Sequence, residues 1–251
     1  MAPQKNNRYS KKRLQKNGPL FIFLLFLSPV CIKLKAQDSF DIKKASFLLP
    51  RPQPKGKFSQ AFSIYMVVPP KDWTLDIVNA PMLNYSAKYS LKNGFNLQAS
   101  LSTLFVSNRL SAGPFWNYSK NNFHLGIGYQ LVYNLGILKS FGFNTIFTAV
   151  EHQPSITYGQ SFKKTALTIR GELYYSTWLQ VSEGGNKIPF NDDFINGFSL
   201  TTSFEQRLYK NKLASLGLKM SYLRYHILAW PALPVNSYQY LVPEFQLGIN
   251  L

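Results

Sequence analysis

The chain alternates between apolar and polar side chains over long stretches, most clearly in residues 122–135, NFHLGIGYQLVYNL. Every odd position from Phe123 to Leu135 is apolar or aromatic, whereas the even positions carry glycine, histidine, amides and one valine. A period of two puts all the apolar side chains of a β-strand on one face. The stretch therefore predicts a strand with one oily face and one face of small and polar groups.

The same alternation recurs along most of the chain. Residues 83–91 and 95–102 alternate on either side of Asn93-Gly94, a dipeptide that strongly favours a hairpin turn between such runs. Clear strands are also predicted at 167–179, 198–205, 216–222 and 241–251, and weaker ones at 58–68, 109–119, 140–151 and 153–162.

Many of these runs reach ten residues, whereas strands of soluble proteins cluster near about five or six. A tilted membrane strand needs about 9–11 residues, and its backbone must be paired within a closed sheet. The chain is thus predicted to be all-β, a closed antiparallel transmembrane β-barrel of 10–12 strands, in preference to a soluble β-sandwich. The count of eleven is odd, and single-chain barrels use even numbers. Twelve strands are favoured, with residues 43–49 as the twelfth, over a ten-stranded wall that excludes 38–79.

The first 37 residues have the form of a secretory signal peptide. A basic region precedes the apolar run LFIFLLFLSPV at residues 20–30, which is short for a membrane span, and cleavage is expected near Gln37. Lipidation at Cys31 is an alternative, but Ser28-Pro29-Val30 lacks the small residue wanted before that cysteine. The predicted organisation is a signal peptide at 1–37, an N-terminal segment at 38–57 and a barrel at 58–251.

Removal of the signal peptide changes the charge and cysteine content. Eight of the 28 Lys and Arg leave with it and none of the 11 acids does, so the formal net charge falls from +17 to +9. The remaining charge is not clustered as in a nucleic-acid binder, and an exported protein rarely meets DNA. The only cysteine leaves as well, which excludes disulfides and thiol chemistry.

With these features the chain resembles the outer-membrane β-barrel proteins of Bacteroidota. The resemblance lies in the leader ending Lys35-Ala36-Gln37, the aromatic-rich alternating strands and the last strand EFQLGINL at residues 244–251. That strand is similar to the signal read by the barrel-insertion machinery, although it ends in Leu251 and not in an aromatic residue. The resemblance implies an outer-membrane barrel and carries no catalytic motif.

A C-terminus in the periplasm would orient every connection. The turns near Lys139, 163–164 and 210–212 then face the periplasm, and 181–195, 227–238 and the turns at 151–154 and 92–94 face outside. A basic periplasmic rim is predicted from Arg109, Lys139, Lys163, Lys164, Lys210 and Lys212. These side chains would either reach lipid phosphates or dock an acidic periplasmic partner.

Charged residues also fall at inward positions of the predicted strands. They form a predicted interior charge network of Lys88, Arg170, Glu172, Glu205, Arg207, Lys219 and Glu244. Four positive and three negative charges nearly balance, which favours a filled or narrow interior held by ion pairs over a selective, charge-lined pore. In residues 122–135, the inward glycines would make room for the long charged side chains of neighbouring strands.

The remaining candidate residues give no catalytic, cofactor or metal site. His152 lies beside Glu151 and three residues before Ser155, but no GxSxG or metal-spaced pair accompanies them. Asp192 and Asp193 are interpreted as a solvated acidic loop, because their spacing matches no calcium loop. An aromatic girdle at strand ends is predicted from Trp116, Tyr118, Tyr133, Trp178, Tyr225 and Trp230.

The predicted function is therefore non-enzymatic: a structural or accessory component of an outer-membrane protein complex. The expected partners are outer-membrane lipids including lipopolysaccharide and other outer-membrane or periplasmic proteins, with no nucleic acid. No plug, peptidoglycan-binding domain or large ligand-binding loop is evident in the sequence. The alternatives are a small, porin-like passive channel for polar solutes and, third, a lipid-modifying barrel enzyme.

Overall fold

The computed structural model describes residues 41–70, 80–139, 142, 144–188, 194–209, 212–227 and 238–251. They form a closed antiparallel barrel of ten strands with one short helix, as the alternation predicts. The signal peptide lies outside the described residues and stays a prediction. Within the described part of the chain, no helix is long and apolar enough to cross a membrane.

Ten strands build the wall, and a three-residue strand extends the hairpin after β7. The elements are α1 Ile42–Ala45, β1 Phe58–Val67, β2 Ala80–Ser90, β3 Phe95–Thr103, β4 Ser107–Lys120, β5 Phe123–Leu138, β6 Thr145–Ser161, β7 Thr165–Glu183, β8 Asn186–Ile188, β9 Phe194–Tyr209, β10 Lys212–Leu223 and β11 Tyr240–Asn250. Strands pair in chain order except that β7 pairs with both β8 and β9. Pairing of β1 with β11, for instance Ile64 opposite Leu247, closes the barrel.

The two ends of the barrel differ in their connections. We call the end where β1 begins and β11 ends the terminal end, and the opposite end the loop end. The connections at the terminal end are two to four residues long, at 91–94, 121–122, 162–164 and 210–211. At the loop end, the segments that join β7 to β9 and β10 to β11 are longer, at 184–193 and 224–239. The turn at 92–94 therefore lies with the C-terminus, and the prediction that it faces outside was wrong.

The favoured count of twelve strands was also wrong, because β6 is one continuous strand of 17 residues. The predicted turn at 151–154 does not exist. Pairing of β6 with β7 runs through His152 opposite Tyr175 and resumes at Ser155 opposite Glu172. Pro154 lies in this interruption, and proline, which has no N–H to donate, is found within sheets chiefly at such irregularities. A proline in the sequence usually indicates the end of a strand, but Pro154 lies within β6.

The wall is apolar outside and polar inside, as predicted for residues 122–135. In β5 the odd positions point outward, with Ile127 59% exposed, while His124, Gln130 and Asn134 are buried. Exposed apolar side chains surround the barrel and include Ile64, Leu97, Ile156, Phe198, Leu218 and Leu247. A continuous apolar exterior of this kind suits lipid and would be unfavourable in water.

Candidate functional site

The N-terminal part of the described chain, residues 41–57, enters the lumen at the terminal end; we call it the plug. Its helix α1 begins after Asp41, whose side chain accepts a hydrogen bond of 2.9 Å from the Lys43 amide. Plug and inner wall share one buried apolar cluster: Ile42, Leu49, Ala166 and Leu213. The prediction of a twelfth strand at residues 43–49 was wrong, and the plug is a feature that the sequence analysis missed.

Charged side chains of the wall hold the main chain of the plug. Glu205 accepts hydrogen bonds from the Ser46 hydroxyl and from the Phe47 amide at 3.1 Å. On the other side, the Lys88 ammonium donates to the Phe47 carbonyl at 2.6 Å. Asn250 donates 2.9 Å to the same Glu205 carboxylate. Two residues of the predicted interior network, Lys88 and Glu205, thus bind the plug.

Inward glycines make room for the plug. A Cβ atom on Gly126 would lie 2.7 Å from Cβ of Pro50, and one on Gly159 would lie 2.7 Å from Cδ of the same proline. Gly128 instead accommodates the ring of Phe115, which a Cβ would meet at 2.0 Å. The predicted reason for Gly126 and Gly128, space for long charged side chains, was therefore wrong: the occupants are a proline and an aromatic ring.

The middle of the lumen contains the central network. Arg170 pairs with Glu172 at 2.9 Å, and the Lys219 ammonium lies 3.7 Å from both Glu172 and Glu244. The Tyr174 hydroxyl donates to Glu172 at 2.9 Å. The structure thus brings together four of the seven residues predicted for the interior network. Arg207 lies apart from them on β9, near the terminal end.

A second buried carboxylate, Glu151, lies towards the loop end. It receives hydrogen bonds from Asn134 and Asn196, both at 2.9 Å, and from the Tyr225 hydroxyl at 2.7 Å. The Arg109 guanidinium lies 3.9 Å from it. Arg109 is therefore inside the lumen, and its assignment to the periplasmic rim was wrong because its strand position was inward.

Apolar side chains fill the lumen at the loop end and form what we call the loop-end cluster. Phe147 is fully buried, and its ring packs edge-on against Tyr225 at 5.5 Å between centroids. The cluster consists of Met82, Phe147, Ala149, Leu179, Val181, Tyr225 and Ile227. Tyr225 was predicted for the aromatic girdle; it is 2% exposed, so that prediction was wrong. An aromatic residue near a strand end can lie either in the girdle outside the wall or inside the lumen, and the sequence pattern is the same in both cases.

A cavity of about 190 Å³ extends along the lumen from the plug, past the central network, to Met82 and Ile227 of the loop-end cluster. Phe47 and Leu49 of the plug, and Arg170, Lys219 and Glu244 of the network, contribute to its lining. The remaining lining is dominated by serine, threonine and amide side chains of the inner wall, so the cavity suits water or small polar groups.

The structure divides the other predicted rim and girdle residues between the two ends. Lys163, Lys164 and Lys212 are exposed at the terminal end, while Lys139 lies after β5 at the loop end, which corrects its predicted position. Trp116 and Tyr118 stack outside the wall, with ring centroids 6.3 Å apart. Tyr133 and Trp178 are likewise exposed. Lys210, Trp230, Asp192 and Asp193 lie outside the described residues.

The residues weighed as a hydrolase constellation lie on opposite faces of β6. Glu151 and Ser155 point into the lumen and are buried, whereas His152 points outward. The His152 ring contacts the Tyr129 hydroxyl and lies 3.2 Å from the Thr177 hydroxyl. In the described part of the chain, no group of His, Cys, Asp or Glu is arranged to hold a metal ion.

Comparisons with known proteins give only distant likenesses in fold. No family model matches the chain, and no curated protein matches it. Neisserial surface protein A (NspA) is 15% identical, with a TM-score of 0.36 over 77% of this chain and 96% of that one. The KdgM porin is 12% identical, with a TM-score of 0.38 over 76% of this chain and 97% of that one. The translocator domain of the autotransporter NalP from Neisseria meningitidis is 11% identical, with a TM-score of 0.38 over 78% of this chain and 88% of that one.

Proposed function

We propose that the protein is an integral outer-membrane barrel, closed in its resting state, that acts as a structural or accessory component of an outer-membrane protein complex. The observation that carries the proposal is the filled lumen. The plug occupies the terminal end, ion pairs occupy the middle and the loop-end cluster occupies the other end. A conducting pore needs a continuous polar path, and the plug and the loop-end cluster lie across that path at the two ends of the lumen.

The membrane assignment follows from the exterior of the barrel. Every wall strand exposes apolar side chains, and strands of 9 residues or more are long enough to cross a tilted bilayer. The expected surroundings are therefore outer-membrane lipids, including lipopolysaccharide, and other outer-membrane or periplasmic proteins. The assignment to Bacteroidota rests on the resemblance in sequence and stays a prediction.

The second candidate is a small passive channel for polar solutes. One observation favours it: the polar cavity lies directly against the plug, and the plug is a segment of chain separate from the wall. Displacement of the plug would widen the polar space, but the loop-end cluster would still close the other end. A lipid-modifying enzyme receives less support, because Glu151 and Ser155 face away from His152.

Single-channel recording in planar bilayers tests the closed state. We expect no stable openings from the intact barrel, from a variant that lacks residues 41–54, or from one with Phe147→Ala and Tyr225→Ala. A variant that combines the deletion with both substitutions opens both ends and should conduct. Stable, step-like openings of the intact protein would overturn the proposal in favour of the channel.

The accessory role is tested by purification from native membranes in mild detergent. We expect the barrel to co-purify with a defined protein in fixed stoichiometry. A barrel recovered alone under conditions that preserve other outer-membrane complexes would contradict this role.

A further inference from the structure

The terminal end of the barrel is strongly basic, and the plug contributes five of its twelve described cations. The plug carries Lys43, Lys44, Arg51, Lys55 and Lys57, and the surrounding rim carries Lys92, Lys120, Lys163, Lys164 and Lys212. Among the described residues of this end, the acids are Asp41, which pairs with Arg51 at 3.9 Å, and Glu205, which is buried beneath the plug. With Lys88 beneath the plug and Arg207 on β9, twelve described cations at this end thus outnumber two acids that are already engaged.

The plug holds its cations across the mouth of the barrel. The Lys43 ammonium donates 3.0 Å to the carbonyl of Asn121 in the turn between β4 and β5. The Lys57 ammonium donates to the Lys44 carbonyl and, at 3.2 Å, to the side chain of Gln53. These contacts join the two limbs of the plug, its beginning near Lys44 and its end near Lys57, to each other, and they join the plug to the wall. Lys44 and Lys55 remain exposed.

The geometry separates the mouth from the perimeter. Lys163 and Lys164 lie in a turn between two wall strands, where their side chains can reach phosphates of lipids that pack around the barrel. The plug main chain is bonded to inner-wall residues such as Lys88 and Asn250, so its lysines open onto the lumen mouth. Lipid around the perimeter explains the rim cations but does not explain the mouth cations.

The mouth also disfavours the charged form of Lys57, chiefly through burial. Lys57 precedes β1, and its pKa is lowered by burial and, secondarily, by the charge of Arg51. A second copy of the chain in the same membrane would present an equally basic end and would be repelled. A protein segment that carries carboxylates would relieve the repulsion and gain charge-assisted hydrogen bonds.

Short connections of outer-membrane barrels face the periplasm, and the terminal end has the short connections. We therefore infer that this mouth, formed by Lys43, Lys44, Lys55 and Lys57 of the plug, docks an acidic segment of a periplasmic protein. The inference rests on the proposed accessory role and adds the chemistry of the partner and its place of contact. Docking there would also hold the plug in the lumen, since the partner would bridge the plug and the rim.

A binding assay with a defined probe tests this inference. The barrel is reconstituted in lipid nanodiscs of zwitterionic lipid or of a mixture with anionic phosphatidylglycerol, and a fluorescent oligoglutamate peptide is titrated by anisotropy at about 0.15 M salt. An oligoglutamine peptide is the uncharged control. The mouth variant carries Lys44→Glu and Lys55→Glu, and the matched rim variant carries Lys163→Glu and Lys164→Glu. Heat-modifiable gel migration checks that each variant keeps its barrel.

We expect the mouth variant to weaken binding of oligoglutamate about tenfold and the rim variant less than about threefold, because only the former removes the charges that the peptide contacts. A photo-crosslinking version of the peptide should attach within residues 41–57. Equal losses in both variants, attachment at the rim turns, or loss of binding when the disc contains anionic lipid would overturn the inference and favour a lipid-facing role. Absence of measurable binding of oligoglutamate would also overturn the docking inference. It would leave the closed state of the barrel standing, because only channel openings in the planar bilayer would overturn that proposal.

Discussion

The two ends of the lumen are closed by different means. At the terminal end, the plug fills the barrel, and two wall residues hold its main chain by hydrogen bonds. Lys88 donates to a carbonyl of the plug, and Glu205 accepts from an amide of the plug. At the loop end, side chains of the wall itself, such as Phe147, pack with Tyr225 and Ile227 of the following loop. The plug is thus a segment outside the wall strands, whereas the loop-end cluster consists mainly of side chains of the wall strands.

This difference predicts different responses to perturbation. Burial of apolar surface is non-directional and scales with area, so the loop-end cluster should contribute to stability of the whole barrel. Hydrogen bonds to a charged group are directional, and removal of one partner leaves buried donors unsatisfied. The plug should therefore be released locally, while the wall around it keeps its strand pairing.

The largest effect is expected from Phe147→Ala at the loop end. Phe147 has no exposed surface, and loss of its ring should lower the free energy of unfolding by about 3–5 kcal/mol. Urea unfolding from lipid vesicles, followed by tryptophan fluorescence, measures the change. Ile146→Ala, on the outer face of the same strand, is the control and should cost less. Faster amide exchange in the plug of the Phe147 variant would contradict the independence of the two ends.

The next effect is expected from Glu205→Ala at the terminal end. The Phe47 amide, the Ser46 hydroxyl and Asn250 would lose their common acceptor, which should weaken docking of the plug by about 2–3 kcal/mol. Hydrogen exchange of residues 41–57, read by mass spectrometry, should accelerate while exchange of the wall strands stays constant. Ser203→Ala, two residues away on the same inner face, is the control. Unchanged exchange in the plug would refute this anchoring role.

Sequence predicted the wall well because lipid and lumen impose a period of two along every strand. The strand count failed where Pro154 occupies an interruption in the β6–β7 ladder, which only the paired strand reveals. The plug has no such period: Pro50 and its neighbours contact several strands at once, and a run of prolines in sequence has the form of a loop. Its one local signal was Asp41, a helix-capping residue before Ile42.

The interior network was predicted as one set, and the structure divides it. Strand position alone indicates that Lys88 and Glu205 point inward, but it does not indicate their depth along the lumen. Depth decides the partner: these two bind the plug, whereas Lys219 and Glu244 pair in the middle. Arg109 was misplaced although its strand position is inward, opposite the buried Ser102. Tyr225 was misplaced because an aromatic side chain just beyond a strand end can turn into the lumen or out to the interface.

A smaller effect is expected from Gly126→Ala. Its Cβ would lie 2.7 Å from Pro50, so the plug must shift, at a cost of about 1–2 kcal/mol to its docking. Gly171→Ala is the matched control, because the nearest atom to its Cβ is Cγ2 of Ile156 at 3.7 Å, an ordinary contact. Hydrogen exchange in residues 41–57 should accelerate in the first variant alone. Equal exchange in the two variants would show that the wall does not shape the plug.

The smallest effect is expected from the titration of Lys57. Because its pKa in the folded protein lies below the ordinary 10.5, the unbound plug carries more protons in the interval between the two pKa values. Docking of the plug should therefore strengthen as the pH rises through that interval, and the gain is complete above about 10.5. A dye attached through Lys55→Cys reports docking, and Lys57→Met should remove the pH dependence while Lys163→Met retains it. Docking that weakens over the same interval would mean that the charged ammonium holds the two limbs of the plug together, and that the terminal end is closed by that charge as well as by Glu205.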